Sequence, residues 1–328
     1  MRHLNSKVVN RVYRYGPGLR LPVFVLAACL QLTAFYCQAD SYLLVKSGTG
    51  EIYTRFEKSL GIALTNQNPQ NSLAVRDVKD FESQQNVLSA NRFDTIISAG
   101  IEASMAVSEL HTDTPTLMVM LPRESYLRLS ASGDIVCEVK SCRVVFLDQP
   151  IARQLQFIKL VLPGAKQVAV MSSSQSSTLV KDIGRAAGKV GLRINDIVVT
   201  DTDSVLSTLK QDLANSDVLL TIPDPIIYNR DTARAILLYT FYQHIPLLAY
   251  SRSFVRAGAT FGIYSTPEDI ARHVAELVSS KATKPNSPQG LYPKYFTIDI
   301  NRRAADALGI SLQDSEQLAK RLQAYEHE

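Results

Sequence analysis

The fold is decided by residues 217–262, which read DVLLTIPDPIIYNRDTARAILLYTFYQHIPLLAYSRSFVRAGATFG. Short, continuous apolar runs at 219–222 and 245–249 predict two parallel strands that are covered on both faces. Between them, Asn229 is placed to cap a helix whose apolar residues recur at every fourth position, at Ala233, Leu237 and Phe241. Such a βαβ unit brings the loops after its two strands to one sheet edge, where open α/β sheets bind ligands. The segment therefore predicts half of a binding cleft.

Strands and helices alternate in the same way along the rest of the chain beyond residue 40. The alternation breaks at a segment with two cysteines and restarts near Asp148, which is placed to cap the next helix. This pattern is typical of mostly parallel, doubly wound sheets. We therefore predict an α/β fold of two doubly wound parallel-sheet lobes joined by crossing strands. Residues 40–147 form lobe 1, residues 148–262 form lobe 2, and residues 263–328 are shared between the lobes, with part returning to lobe 1.

The first 39 residues have the features of an export signal. They contain five of the 35 basic residues and no acidic one, and an apolar stretch at 21–36 is followed by small residues before Asp40. This order is typical of a secretory signal peptide that is cleaved after Ala39. Residues 26–29, LAAC, also match the lipobox of a lipoprotein acylated at Cys29, and an uncleaved anchor is a third alternative. All three alternatives place the folded part outside the cytoplasm, and we predict a periplasmic protein, alternatively one held by a lipid at Cys29.

The charge and the motifs exclude several classes of protein. The net charge of +4 comes from the N-terminal segment, because without it 30 basic side chains face 31 acidic ones, a net charge of −1. Nucleic acid is therefore excluded as a partner, since its binding needs a basic surface on the folded part. The five histidines are scattered, and the chain has no G-x-S-x-G or H-E-x-x-H motif. We expect no enzyme, no cofactor and no metal site; a hydrolase with an unrecognised site is the alternative.

Two cysteines, Cys137 and Cys142, lie outside the N-terminal segment, in DIVCEVKSCRVV. In an oxidising compartment a pair this close predicts a local disulfide, here across a hairpin formed by two β-prone runs. A metal or redox role is the alternative, but no matching histidine or cysteine accompanies the pair.

Ligand contacts are expected in the loops that follow the parallel strands of both lobes. Asp224 either pairs with a ligand cation or caps backbone amides within its proline turn. Tyr228 and Tyr250 either stack on a ligand or pack in the core. The glycine-rich loop at 48–50 offers backbone amides to an anion but lacks the lysine of a P-loop. The candidate ligand-binding residues are Gly48, Thr49, Gly100, Pro122, Ser172, Ser173, Asp224, Tyr228, Tyr250 and Ser251.

Three segments beyond residue 150 resemble a known family. They are QLQFIKLVLPGAKQVAV at 154–170, IPLLAYSRSFVRAG at 245–258 and TIDINRRAADALGISL at 297–312. Their order and spacing resemble the substrate-binding proteins of ABC transporters of the tryptophan/tyrosine-binding type, which have the type I periplasmic binding-protein fold. At Ser251 and Arg252 the family frequently has acidic residues that hold an ammonium group, and prolines flank Asp224 in this chain. The class of ligand is therefore left open.

The resemblance implies an exported solute-binding protein of an ABC importer. Its two lobes would close on a small organic ligand and present it to an ABC permease in the inner membrane. The alternative is an envelope regulatory or interaction protein that uses the same fold to signal to a membrane sensor or another partner.

Overall fold

The computed structural model describes residues 39–83, 92–110, 112–137, 141–280, 290–311 and 314–326. Ala39–Glu328 form one compact unit. The predicted signal segment, with Cys29, lies outside the described residues apart from Ala39. Within the described part of the chain, no helix is both long and apolar enough to span a membrane.

Strands and helices alternate along the described chain. The strands are β1 (Ser41–Lys46), β2 (Ser72–Asp77), β3 (Thr95–Ala99), β4 (Thr116–Leu121), β5 (Cys142–Phe146), β6 (Gln167–Ser172), β7 (Arg193–Val198), β8 (Val218–Leu220), β9 (Leu247–Ala249), β10 (Phe261–Tyr264) and β11 (Thr297–Ile300). The helices are α1 (Glu51–Gln67), α2 (Val78–Ser83), α3 (Ile101–Ser108), α4 (Arg123–Ser132), α5 (Ile151–Val161), α6 (Ser177–Lys189), α7 (Val205–Asp212), α8 (Ala233–Tyr242), α9 (Arg252–Ala257), α10 (Pro267–Ser279), α11 (Arg302–Ala307) and α12 (Ser315–Tyr325).

The first sheet has the strand order β2-β1-β3-β4-β5, with every pair of neighbours parallel. One face is covered by α1 and α10, through residues such as Phe56, Leu60 and Val274. The other face is covered by α2, α3 and α4. All six residues of β4 are buried because helices lie on both of its faces. This sheet and its helices are lobe 1.

The second sheet has the order β11-β10-β9-β8-β6-β7 and is parallel except for β11, which runs antiparallel to β10. Helices α5, α6 and α12 cover one face, and α7, α8 and α9 cover the other. This sheet and its helices are lobe 2. The two sheets confirm the predicted α/β class of two doubly wound lobes.

Three segments cross between the lobes. Residues 147–150 connect β5 to α5, and residues 265–266 connect β10 to α10. The third segment starts at Leu291, which bridges Val145 of the first sheet, and leads into β11 of the second. As a result α10 follows a strand of lobe 2 in sequence but packs on lobe 1.

Of the two predicted helix caps, the one at Asn229 is found one turn before α8 and the one at Asp148 is wrong. The Asn229 Oδ1 atom accepts the N–H groups of Asp231 and Thr232, at 3.0 and 3.2 Å, and its carbonyl accepts the Ala233 N–H at 3.1 Å, so Asn229 caps the turn that leads into α8. Helix α5 follows Pro150, and the Asp148 carboxylate instead accepts the Arg123 N–H at 2.5 Å. At Asp148 a bond outside the helix takes the side chain that was expected to cap it.

The disulfide between Cys137 and Cys142 is present, with the two Cα atoms 5.2 Å apart. The hairpin predicted around it is wrong on its first arm, because residues 134–137 form no strand. The Ile135 N–H is bonded to the Leu129 carbonyl of α4 at 3.1 Å, so this segment follows the helix instead of pairing with β5. The disulfide therefore ties the segment that follows α4 to the start of β5.

Candidate functional site

A cleft of about 560 Å³ lies between the lobes, at the carboxyl ends of strands from both sheets. Lobe 1 contributes the first turns of α1 and the start of α4, and lobe 2 contributes α9 and the loops after β8 and β9. Two of the crossing segments lie between these walls. The lining residues are Glu51, Ile52, Arg55, Pro122, Leu147, Asp148, Gln149, Gln154, Pro223, Tyr250, Ser251, Arg252, Ser253, Arg256, Ile263, Tyr264, Ser265, Thr266 and Pro267.

The lobe 1 wall carries an ion pair that joins α1 to α10. The Arg55 guanidinium donates to the Glu268 carboxylate through Nε at 3.0 Å and Nη2 at 2.9 Å. A third contact, 3.7 Å long, joins it to Glu51 one turn earlier. Burial opposes the charge on Glu268, but the bonds from Arg55 outweigh it and lower the pKa of that carboxyl. The cation on this wall is therefore matched by two carboxylates.

Strand β4 ends in a bend beside the cleft. Met120 has φ of 61°, and the pairing of β4 with β5 shifts register between Val119 and Leu121. A non-glycine residue in this region costs about 1–3 kcal/mol, so the surrounding packing must hold it. The Met120 side chain is buried in the core of lobe 1. The bend brings Pro122 to the cleft lining and directs the chain into α4.

The lobe 2 wall is formed by the loop after β9 and by α9. Ser251 caps α9 by accepting the Phe254 N–H at 3.5 Å. The Arg252 Nε atom donates to the Tyr264 hydroxyl at 3.2 Å, and that hydroxyl donates to Asp299 Oδ2 at 3.0 Å. Arg256 lies one turn further along α9 and also lines the cleft. Among the described residues it has no hydrogen-bond or ion-pair partner.

Tyr250 belongs to a cluster of three aromatic rings. Its ring centroid lies 6.2 Å from that of Tyr228 and 5.5 Å from that of Phe254. Burial, with a smaller contribution from Asp224, raises the pKa of Tyr250 to about 12, so its hydroxyl stays neutral at physiological pH. The Tyr228 hydroxyl is buried and has no hydrogen-bond partner in the described part of the chain. Packing behind the cleft therefore fixes the Tyr250 ring at its edge.

Hydrogen bonds tie the three crossing segments to one another. The Gln149 Nε2 atom donates to the Ser265 hydroxyl at 2.9 Å, and Ser265 donates to the Tyr295 carbonyl at 2.6 Å. The buried Arg153 guanidinium donates to Gln149 Oε1 at 2.7 Å and to the Pro293 carbonyl at 3.0 Å. Any rotation of one lobe against the other must occur around these joined segments.

Asp148 lies in the first crossing segment and lines the cleft. Burial raises the pKa of its carboxyl from 3.8 to about 6, although the Arg123 N–H that it accepts favours the ionised form. The Arg123 side chain bonds Glu124 at 2.7 Å and lies 3.8 Å from Asp182 of α6 in lobe 2. Charges from both lobes therefore surround this segment.

Of the residues predicted to bind a ligand, the structure brings Pro122, Tyr250 and Ser251 to the described lining of the cleft. Asp224 lies behind the wall with only 2% of its surface exposed. Its Oδ2 atom accepts from the hydroxyls of Ser173 and Ser176, both at 2.6 Å. Its Oδ1 atom accepts the Ile226 N–H at 3.0 Å. This bond agrees with the alternative in which Asp224 caps backbone amides within its proline turn. Tyr228 packs beside it against the Tyr250 ring.

The other predicted residues lie away from the lining. The Ser172 hydroxyl donates to Asp196 at 2.5 Å at the end of β6. Gly48 and Thr49 form the loop after β1, where Thr49 is exposed. Gly100 has φ of 96°, and a Cβ atom there would lie 2.5 Å from the Tyr53 hydroxyl, so it is required for close packing. Ligand contact at these positions stays a prediction.

The sequence analysis predicted that segments cross between the lobes but did not locate them, and it did not predict the arginines that line the cleft. Residues 146–150, FLDQP, and residues 264–267, YSTP, each lead from a buried strand through short polar residues to a proline and then to a helix. This shared pattern is the signal that could have identified Gln149 and Ser265. No local pattern distinguishes Arg55 and Arg256 from arginines on a solvated helix, because their position depends on how the lobes meet.

Comparison with known proteins identifies the family. A profile of the family described as "ABC transporter substrate binding protein" matches residues 65–322, which is most of the chain. The chain belongs to this family. The family consists of substrate-binding proteins and not of enzymes. No curated protein matches this substrate-binding protein.

Solved structures of similar fold include other binding proteins. One is an ABC domain in complex with L-Trp from Streptococcus pneumonia, 18% identical, with a TM-score of 0.56 over 85% of this chain and 97% of that one. Another is the ligand-free, open form of a substrate-binding protein with adhesive properties from Clostridium difficile, 16% identical, with a TM-score of 0.65 over 85% and 97% of the two chains. A third is a conserved domain protein from Vibrio cholerae, 15% identical, with a TM-score of 0.55 over 87% and 98%. At this identity the likeness shows the type I periplasmic binding-protein fold of this substrate-binding protein.

Proposed function

We propose that this chain is the exported solute-binding protein of an ABC importer. It acts in the periplasm, closes its two lobes on a small organic ligand, and presents the ligand to a permease in the inner membrane. The observation that carries the proposal is the cleft between the lobes, to which both lobes and two crossing segments contribute residues. Membership of the substrate-binding family supports the same assignment.

The mechanism follows from the geometry of the cleft. Because its walls belong to different lobes, a ligand that touches both walls stabilises the closed arrangement more than the open one. The permease would then distinguish the loaded protein from the empty one by its closed shape. Rotation occurs around the segments joined by Gln149, Ser265 and Arg153.

We propose that Tyr250 and Ser251 contact the ligand from lobe 2 and Pro122 from lobe 1. The Tyr250 ring offers an apolar face, and its neutral hydroxyl is a hydrogen-bond donor. Asp224 and Tyr228 act behind this wall, because the serines hold Asp224 in place and the Tyr228 ring packs on Tyr250.

A thermal-shift screen tests the binding function. Purified protein, expressed from the full chain, is measured with amino acids, purines, sugars and small organic acids. One class is expected to raise the melting temperature, and the rise should grow with ligand concentration as mass action requires. At a free ligand concentration of 100 times Kd, binding stabilises the folded protein by about 2.7 kcal/mol. Small-angle scattering with that ligand should show a smaller radius of gyration. If no compound in the screen raises the melting temperature, the binding function is refuted. If a ligand binds but is not taken up through a permease, the regulatory alternative is favoured.

A pair of tyrosine variants tests the site. Tyr250→Leu is expected to weaken the ligand about tenfold, because it removes an aromatic face and a donor while keeping an apolar side chain. Tyr242→Leu is the matched control, since Tyr242 is 72% exposed on α8 and does not line the cleft. Equal affinities of the two variants would refute the assignment of Tyr250.

A further inference from the structure

We propose that the ligand is an organic anion, with a carboxylate or phosphate group on an apolar body, and that Arg252 and Arg256 bind the anionic group. This inference rests on the proposed function. It starts from the position of the two arginines, which are one turn apart on α9 and both line the cleft. Residues at this spacing lie on the same face of a helix, so the two guanidinium groups belong to the same wall of the cleft.

The positive charge on this wall is not balanced by nearby carboxylates. Arg252 reaches Asp299 only through the Tyr264 hydroxyl, and Arg256 has no partner among the described residues. Of the two carboxylates in the described lining, Glu51 lies 3.7 Å from Arg55, and Asp148 accepts the Arg123 N–H. The lobe 2 wall therefore presents cations where a ligand would enter.

This arrangement is unfavourable without an anion. Like charges one turn apart on a helix repel each other, so Arg252 and Arg256 disfavour each other's charge within α9. An anion bound to α9 would reduce that repulsion and accept the planar, forked donors of arginine. Binding would then depend on the charge of the ligand, and an anion that also touches the lobe 1 wall would favour the closed state.

The rest of the lining indicates an apolar body on the ligand. Ile52, Leu147 and Pro122 lie on the lobe 1 side, and Tyr250 and Pro223 lie on the lobe 2 side. A cleft of about 560 Å³ whose lining surface is mostly apolar is typical of sites for small organic molecules. A small aromatic or branched organic acid fits both the charge and the apolar walls.

Matched probes test the charge of the ligand. Thermal shifts and calorimetry at millimolar concentration compare 4-hydroxyphenylacetate with its neutral amide and with tyramine, and phenyl phosphate with phenol. We expect the carboxylate or the phosphate to bind at least tenfold more tightly than its uncharged or cationic counterpart, and to weaken as salt is added. Comparison of the two anions shows which anionic group the site prefers.

Arginine variants test the residues. Arg256→Gln and Arg252→Gln are each expected to weaken the best anionic probe about tenfold or more, as for loss of a charged hydrogen bond. Arg234→Gln is the control, because Arg234 is an exposed arginine of lobe 2 that lies outside the cleft. The melting temperature without probe checks that each variant folds.

The outcomes separate this inference from the proposed function. If amides, amines or sugars stabilise the protein and the anions do not, the inference is wrong and the binding function stands. The same holds if an anion binds equally well to Arg256→Gln, Arg252→Gln and the wild type. If neither these probes nor the broader screen stabilises the protein, both are refuted.

Discussion

Replacing Asp148 by asparagine is expected to stabilise the ligand-free protein at neutral pH. Burial raises the pKa of this carboxyl from 3.8 to about 6, so the folded protein binds a proton between these values that the unfolded chain does not. The contribution of Asp148 to stability is therefore fully present below about pH 4 and is lost as the pH rises through about 6. Above that pH the ionised, buried carboxylate disfavours folding.

The magnitude follows from the change in pKa. A rise of about two pH units corresponds to about 3 kcal/mol, because each unit is worth about 1.4 kcal/mol. Solvent reaches part of the Asp148 side chain, and asparagine must satisfy its own amide donors, so we expect a gain of about 1–2 kcal/mol. The asparagine oxygen can still accept the Arg123 N–H that Asp148 accepts at 2.5 Å.

Urea denaturation followed by circular dichroism checks this between pH 4 and pH 8. The free energy of unfolding of Asp148→Asn should equal that of the wild type or lie slightly below it near pH 4, and exceed it by about 1–2 kcal/mol above pH 7. Asp231→Asn, at an exposed position before α8, controls for the loss of one negative charge. Parallel pH profiles for Asp148→Asn and the wild type, or a loss of stability at pH 7, would refute the reasoning.

Three further changes test the packing. Arg153→Met should cost about 3 kcal/mol in urea denaturation, because it leaves the Glu326 carboxylate and two other acceptors unbonded, and a cost under about 1 kcal/mol would contradict this. Gly100→Ala should lower stability by about 2–3 kcal/mol, since its Cβ would meet the Tyr53 hydroxyl at a positive φ; Gly184→Ala, with no atom in its way, is the control and should be neutral or stabilising. Replacing both bonded cysteines by serine should lower the free energy of unfolding by about 2 kcal/mol, because the unfolded chain regains the entropy that this short closed loop removes. An unchanged melting curve would contradict this.

The sequence predicts the architecture well because the signals for strands are local. The apolar run at 245–249 contains β9, Leu247–Ala249, and all three of its residues are buried. Any strand covered on both faces must be apolar along its length, whichever helices cover it. The two-lobe organisation follows from the break and restart of this pattern around the disulfide.

Caps and cleft residues are harder to predict because they depend on distant partners. Aspartate commonly caps helices, but the Asp148 carboxylate accepts the N–H of Arg123, which lies 25 residues earlier in the chain. Asp224 follows a strand at the correct sheet edge, yet Ser173 and Ser176 from another loop take its Oδ2 atom. Pattern reasoning places such residues at an edge but does not show which of them face the cleft.

The packing of α10 has a consequence for the order in which the protein can fold. This helix covers Phe56 and Leu60 of α1, although on the order of 200 residues separate the two helices along the chain. A ribosome adds about 5–20 residues per second, so this apolar face would remain uncovered for about 10–40 s after its own synthesis. Lobe 2 would have all the strands up to β10 before lobe 1 receives its last helix. The chain therefore depends on being kept unfolded, or protected from aggregation, until residue 279 has emerged.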